Sequence, residues 1–390
     1  MRFPLRTFVL FSLVVAPLAA CDFLTGPDSG QLLPPETGDG WQTASLEEVG
    51  MEADSLFALL DLIETTEDHL IHSILIVRDQ TLVFEEYWPG VDLDQITLVP
   101  TQQNFDRETL HYAASISKSI TSALVGIAID RGLIGSLDDS LFSYFPEYAD
   151  LIRNDNREIT LEHLLSFSSG LDWNEHVYGF EDPRDSHYQM FNAPDPVGYL
   201  LGRPVMFDPG GEFLYNSGDT NILGEIVRRT SGSITLIDFA DRYLFQPLGI
   251  ESYYWITLPQ NENVTFASGG ASLRPRDMAK LGALYLNGGV WDGEQVVPEQ
   301  WVNVSTQLHT RLLEQYRTLY GYGYNWWLGR SRFRDREVEH YRAYGWGGQV
   351  VFVFQELRLV IVFTCGAYND DMPLSMITII EDYILPAITD

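Results

Sequence analysis

Lysine is nearly missing from this chain. Of 24 basic residues only Lys118 and Lys280 are lysines, and the rest are arginines. Basic charge of any kind is short: 55 acidic residues leave a formal net charge of −31 at pH 7. That balance excludes nucleic acid and anionic membrane surfaces as partners, because both are bound through basic patches. Cysteine is as scarce, with Cys21 and Cys365 alone, so no disulfide framework braces the mature fold. The N-terminal apolar stretch, Phe8 to Leu18, is too short for an ordinary transmembrane helix, and nothing after it reaches that length. The Gly-x-Ser-x-Gly elbow of one large hydrolase class is absent. None of the eight histidines sits in a recognisable triad motif.

What remains is ample for a buried core. Hydrophobic residues make up 45% and aromatic residues 13% of 390 positions, enough for one large domain or two intimate ones. Arg2 and Arg6 precede the apolar stretch, and small residues follow it, which reads as a secretory signal. Leu18-Ala19-Ala20-Cys21 resembles the bacterial lipobox, in which the cysteine is lipidated and becomes the first residue. Residues 1–21 are therefore expected to be a leader. The protein would then be extracytoplasmic and held to the membrane by lipid on Cys21; ordinary secretion is the alternative. Residues 22–42, rich in Gly, Pro and acidic residues, read as a flexible linker. The folded domain is expected over 43–390, with a helical lobe over about 136–255. Cys365 reads as a buried structural thiol.

Apolar spacing predicts a helix over Ala53 to Glu64. Runs over Ile71–Val77 and Leu82–Tyr87, joined by four polar residues, predict a β-hairpin. Helical segments follow at Thr160–Phe167, Thr220–Thr230 and Pro275–Leu286. Val350–Phe354 and Leu359–Thr364 read as adjacent central strands covered on both faces, and Met376–Leu385 as a closing helix. Strands at both ends with a helical middle imply one sheet flanked by helices, plus a helical insert. The active site is expected in the cleft between them.

One of the two lysines falls in Ala113-Ala114-Ser115-Ile116-Ser117-Lys118-Ser119-Ile120, a run with small or apolar residues all round. Such a helix is buried on every side, and a buried ammonium is costly unless paired or neutralised. Ser115 and Lys118, at i and i+3, share one helical face. A neutral amine there can take the serine proton and make the hydroxyl a nucleophile. Ser-x-x-Lys by itself is a weak signal, since most such pairs are solvated surface; the apolar context argues against that reading. Ser-Lys chemistry needs a proton shuttle and an oxyanion hole as well. Tyr215-Asn216-Ser217 supplies a candidate hydroxyl, although a tyrosine there also suits a loop capping the next helix. Tyr344-Gly345-Trp346-Gly347-Gly348-Gln349 precedes an apolar strand. Glycines there let a substrate lie against a strand edge, although a tight turn with a packed tryptophan would read the same.

The ordered set Ser115-x-x-Lys118, Tyr215-x-Ser217, Trp346-Gly347-Gly348 resembles the class C β-lactamase-related serine hydrolases. That family includes family VIII esterases, 6-aminohexanoate-dimer hydrolases, D-aminopeptidases and penicillin-binding proteins. Leu164-Leu165-Ser166-Phe167-Ser168-Ser169-Gly170-Leu171, Arg276-Asp277-Met278 and Tyr324-Asn325-Trp326-Trp327 are similar too. The resemblance implies an α/β fold of the α+β kind: an antiparallel sheet with helices on both faces and an α-helical second lobe. It implies Ser115 as acylated nucleophile, Lys118 as general base and Tyr215 as proton relay. The oxyanion hole would come from the Ser115 and Gln349 backbone N–H groups. Ser217, Trp346, Gly347 and Gly348 would line the substrate. No metal or other cofactor is implied. Where many relatives carry Lys-Thr-Gly this chain has Trp346-Gly347-Gly348, and the cation that binds a substrate carboxylate is gone. The expected activity is hydrolysis of a small ester or amide through an acyl-enzyme. The rivals are a penicillin-interacting D,D-carboxypeptidase or weak β-lactamase, and a catalytically silent homologue that holds cell-wall peptides. Oligomeric state is not fixed by any motif.

Overall fold

A computed structural model describes residues 32–94, 99–175, 177–312, 318–368 and 371–389. The leader with Cys21 lies outside the described residues, as does the first part of the expected linker.

Ile71–Arg78 (β1) and Thr81–Tyr87 (β2) form the expected hairpin. His111–Tyr112 (β3), Tyr253–Trp255 (β4) and Ala271–Leu273 (β5) make a small sheet in the order β3-β5-β4. The C-terminal third supplies Thr310–Arg311 (β6), Leu319–Tyr322 (β7), Trp327–Phe333 (β8), Arg336–Gly345 (β9), Gln349–Phe354 (β10) and Leu359–Cys365 (β11). These join β1 and β2 in one eight-stranded sheet, ordered β6-β7-β8-β9-β10-β11-β1-β2. Every pairing is antiparallel. The last strands of the chain thus pair with the first, which closes the sheet around everything between them.

Helices cover both faces. Asp54–Thr65 (α1) lies with the C-terminal helical segment from Met376 on one face. Ile116–Asp130 (α2) lies on the other, and Leu161–Leu165 (α3), Ser186–Asn192 (α4) and Ser217–Ser231 (α5) follow in the insert. Pro275–Leu286 (α6) returns to the α2 face. Side-chain alternation in β10 and β11 explains the two cores. Val351, Val353, Val360 and Val362 point to α2 and α6; Val350, Phe352, Ile361 and Phe363 point to α1. Every residue of both strands is buried, as a sheet covered on both sides requires.

Residues 32–41 depart from the expected tether. Leu32 and Trp41 are buried. The buried guanidinium of Arg276 donates to Thr37 Oγ1, Asp39 Oδ2 and the Pro35 carbonyl, and pairs with Glu85 at 2.6 Å. A Gly- and Pro-rich composition signalled freedom, but one arginine from α6 fixes the segment. No helix among the described residues is long and apolar enough to cross a membrane.

Candidate active site

Helix α2 buries all but its last two residues, so its polar side chains need partners inside the protein. They find them across the cleft. Ser117 Oγ donates to the Ala114 carbonyl and accepts from the Ala271 N–H. Ser119 and Thr121 donate to the carbonyls of Asn325 and Ala267. Each hydroxyl ties α2 to β5, to the segment just before it or to the turn before β8, which holds the helix N-terminus still. Ser115 stands at that N-terminus, half-buried, after Ala114 at φ +47°. Gly345 shows why the approach is possible: a Cβ there would lie 2.4 Å from the Ala113 carbonyl oxygen and 3.1 Å from Ala114 Cβ.

Lys118 Nζ donates to Ser115 Oγ at 2.9 Å and to the Ser268 carbonyl at 2.8 Å. Among the described residues no carboxylate lies within ion-pairing distance of it. Burial lowers its pKa to about 8, and the nearby Glu175 charge opposes the fall. The Tyr215 hydroxyl faces Ser115, and Lys118 Nζ lies 4.9 Å from the Tyr215 ring centroid. That ring stacks on Trp327 at 5.5 Å and meets Phe167 edge-on at 5.1 Å. Burial pushes the phenol far above its ordinary value, so Tyr215 is a neutral proton donor at rest. Of the two candidate bases, the amine is the one close to losing its proton near neutrality. Ser115 and Lys118 from one helix start and Tyr215 from a distant stretch of chain meet at one point.

The other expected residues spread out from that point. Ser217 opens α5, buried, and its backbone N–H donates to Glu175 Oε2 at 3.0 Å. Trp346 is half-buried between Phe180 at 5.0 Å and Tyr368 at 4.9 Å, and its indole N–H donates to the Tyr368 carbonyl at 2.8 Å. The indole N–H is thus spent within the protein. Gly347 and Gly348 lie in the turn between β9 and β10. Both are buried at positive φ, +87° and +89°, and a Cβ on either would strike Tyr368 or Met376. Their place is inside the turn. Gln349 is fully buried; its side chain donates to the Cys365 carbonyl and accepts from the Cys365 N–H, locking β10 to β11. Its partner across the hairpin is Gly345.

Glu175 carries a role that the sequence did not signal. It is one acid among 55, in a loop with no motif. Its buried carboxylate accepts from the Trp173 indole and the Ser217 N–H. Among the described residues, His72, Asp92 and His111 have the side chains for a metal. His72 Nδ1 and His111 Nε2 are 2.8 Å apart, which is a hydrogen bond. Two nitrogens around tetrahedral zinc need roughly 3.3 Å, given bonds of about 2.0–2.1 Å. The pair therefore fits a shared proton, with Phe105 stacked on His72 at 4.1 Å.

A family model described as Beta-lactamase matches residues 63–373, most of the chain. Among curated proteins, the 6-aminohexanoate-dimer hydrolase of Paenarthrobacter ureafaciens is 28% identical over 284 residues, covering 70% of this chain and 67% of that protein. Among solved structures, a family VIII carboxylesterase superposes with a TM-score of 0.63 at 16% identity, covering 87% of this chain and 98% of the other. The octameric penicillin-binding protein homologue from Pyrococcus abyssi gives a TM-score of 0.62 at 18% identity, covering 85% and 76%. These likenesses carry the fold: an antiparallel sheet flanked by helices.

Proposed function

The chain belongs to the beta-lactamase family, and on that premise we propose that it is a serine hydrolase that cleaves a small ester or amide through an acyl-enzyme on Ser115. One observation carries the reading: a buried lysine with a depressed pKa donates to a serine hydroxyl at a helix N-terminus, 2.9 Å away. Neutral Lys118 takes the Ser115 proton as Oγ bonds to the substrate carbonyl carbon. Tyr215 gives its proton to the departing alkoxide or amine and regains one through Lys118. Water then attacks the ester carbonyl carbon, its proton passing to the same pair and from it to Ser115 Oγ as the Oγ–acyl bond breaks, and the acid leaves.

The oxyanion needs two donors. The Ser115 N–H, at the positive end of α2, is one. For the other, the geometry favours β9 over the expected Gln349. Pairing of β8 with β9 ends at Trp327–Arg342, so β9 has an open edge beyond that point, beside Ala113 and Ala114. The Gly345 carbonyl accepts from the Gly348 N–H and therefore faces β10. By strand alternation the backbone groups of Tyr344 and Trp346 face the open edge.

A preference for uncharged substrates rests on Trp346, which takes the place in the motif that a lysine holds in many relatives. The second reading is a penicillin-interacting carboxypeptidase or weak β-lactamase. The description of the matching family and the likeness to the Pyrococcus abyssi protein favour it. The two separate on kcat/KM for nitrocefin against nitrophenyl butyrate: a higher value for the ester supports the first reading, and an equal or higher value for nitrocefin supports the second. Both require Ser115. Intact-protein mass spectrometry after a fluorophosphonate is expected to show one adduct on the wild type and none on Ser115→Ala. An unlabelled wild type would leave a binding protein of the same fold. We also place the protein outside the cytoplasm on a Cys21 lipid; a mature N-terminus elsewhere on soluble protein would favour simple secretion.

A further inference from the structure

Glu175 sits behind the reacting groups. Its Oε2 accepts from the Ser217 N–H at 3.0 Å and from the Trp173 indole. The first bond fixes the opening turn of α5, directly after Tyr215, and a carboxylate there also meets the positive end of a helix of 15 residues. The second pins the carboxylate to the loop that precedes α4. We propose that Glu175 is a positioning residue for this site: it ties the Tyr215–Ser217 turn to the Trp173 loop and is the counter-charge of the Lys118 ammonium. The proposal rests on the acyl-enzyme reading above and adds to it the group that decides at which pH the site becomes active.

The charges around this pair support the assignment. Lys118 is faced by Tyr215 and, through space, by Glu175. Tyr322 from β7 and Tyr344 from β9 face Tyr215 in turn. Asp219 from α5 and His187 from α4 face Glu175; His187 Nε2 is 3.7 Å from Oε2, and Asp185 stands behind it at 3.5 Å from Nδ1. Burial pushes the Asp219 carboxyl well above its usual range, and its charge is not among those that act on Lys118. Glu175 is then the anion that acts on Lys118. Removing it leaves burial unopposed, and an unopposed desolvation lowers the proton affinity of an amine further.

The scarcity of lysine makes a direct test possible. In the full-length chain labelled with 13C at lysine Cε, only Lys118 and Lys280 give signals, and Lys118→Arg assigns them. Glu175→Gln keeps an oxygen for both donors and removes the charge. The Lys118 titration midpoint is expected to fall by about half a unit or more in that variant. The acid limb of fluorophosphonate labelling at Ser115 should move down with it. Asp219→Asn should leave the midpoint where it was. A midpoint within about 0.2 unit of wild type in Glu175→Gln, a rise, or a larger fall in Asp219→Asn overturns the proposal. Glu175→Asp retains a charge and should stay within about half a unit of wild type; a larger fall overturns the proposal even if the glutamine variant does not fold. Ser115 that resists labelling at every pH would overturn the acyl-enzyme reading instead, while the Lys118 titration stays readable.

Discussion

Helix α2 carries Lys118 and helix α6 carries Lys280, and both side chains are buried, at 2% and 0% exposure. The helices pack on the same face of the sheet, in the same apolar core. Their surroundings differ in one respect. Lys280 pairs with Asp277 one turn earlier on its own helix, at 3.1 Å, and Arg274 supports the same carboxylate at 2.7 Å. Lys118 has the Ser115 hydroxyl at the matching i−3 position and a carbonyl on its other side. A carboxylate at i−3 pairs with the ammonium and makes it part of the fold. A hydroxyl at i−3 cannot neutralise it, so burial lowers its pKa to about 8 and makes the proton easier to lose. The same residue type, equally buried, is a strut in one helix and, in the proposed mechanism, a base in the other.

Exchange of each lysine for methionine tests that contrast most strongly. Lys118→Met keeps the volume and removes the base. Acylation by nitrophenyl butyrate is expected to fall by a factor of about a hundred or more, the usual weight of a general base, with the thermal midpoint unchanged or raised. Lys280→Met should leave acylation near wild type in the folded fraction. A Lys118→Met protein that loses stability and keeps its activity would reverse the two roles.

Acidification gives the next largest effect. The base is the neutral amine, and its pKa is lowered to about 8. Below that value the neutral fraction drops tenfold per unit, so acylation at pH 6 should be about a hundredfold slower than at its plateau. The limb appears on the acid side because loss of a proton, and not gain, activates the site. A rate that rises on acidification would exclude Lys118 as the base.

Stability separates the helices in the opposite sense. Breaking a buried ion pair from one side costs about 3–5 kcal/mol in general. Arg274 still neutralises Asp277, so Lys280→Met should fall at or below the low end, about 2–3 kcal/mol, in urea unfolding. No loss would mean that the pair contributes nothing to the fold.

This contrast was half legible in the sequence. Two lysines among 24 basic residues draw attention to Lys118, and i+3 spacing on a helix is enough to bring it beside Ser115. The hairpin from Ile71, helix α6 and the two central strands were readable as well, because their apolar periods are long and unbroken. Gln349, Gly347 and Gly348 were harder: a motif gives the order of residues, while the hairpin decides which strand edge they face. Glu175 could not be read at all. Its role comes from where a loop without periodic pattern returns to α5, and composition carries no trace of that. Residues 32–41 failed for a related reason, since the arginine that holds them lies more than 230 positions away in sequence.

A third lysine, placed by mutation, gives the smallest effect and the finest resolution. Trp346 packs against Phe180 and Tyr368, and its only side-chain donor is spent on the Tyr368 carbonyl. The wild-type turn thus presents an apolar ring to a substrate, which suits an ester and gives nothing to the carboxylate beside a β-lactam ring. The ammonium introduced by Trp346→Lys would have neither an i−3 carboxylate nor an i−3 hydroxyl; its neighbours are aromatic, and it would sit at the mouth of the site in partial contact with water. It should therefore hold its proton more firmly than Lys118 and stay unpaired, unlike Lys280, which leaves it available to a substrate carboxylate. A charge-assisted contact is worth about 1.5–3 kcal/mol. Part of that is lost to solvent and to the missing Tyr368 bond, so the nitrocefin-to-ester ratio of kcat/KM should rise by about tenfold. The same variant should lower ester turnover only modestly, by a factor of about three, since the reacting groups are untouched. A ratio that does not move would show that the Trp346 ring lies outside the path of the substrate carboxylate, and the ester preference would then have to come from another wall of the site.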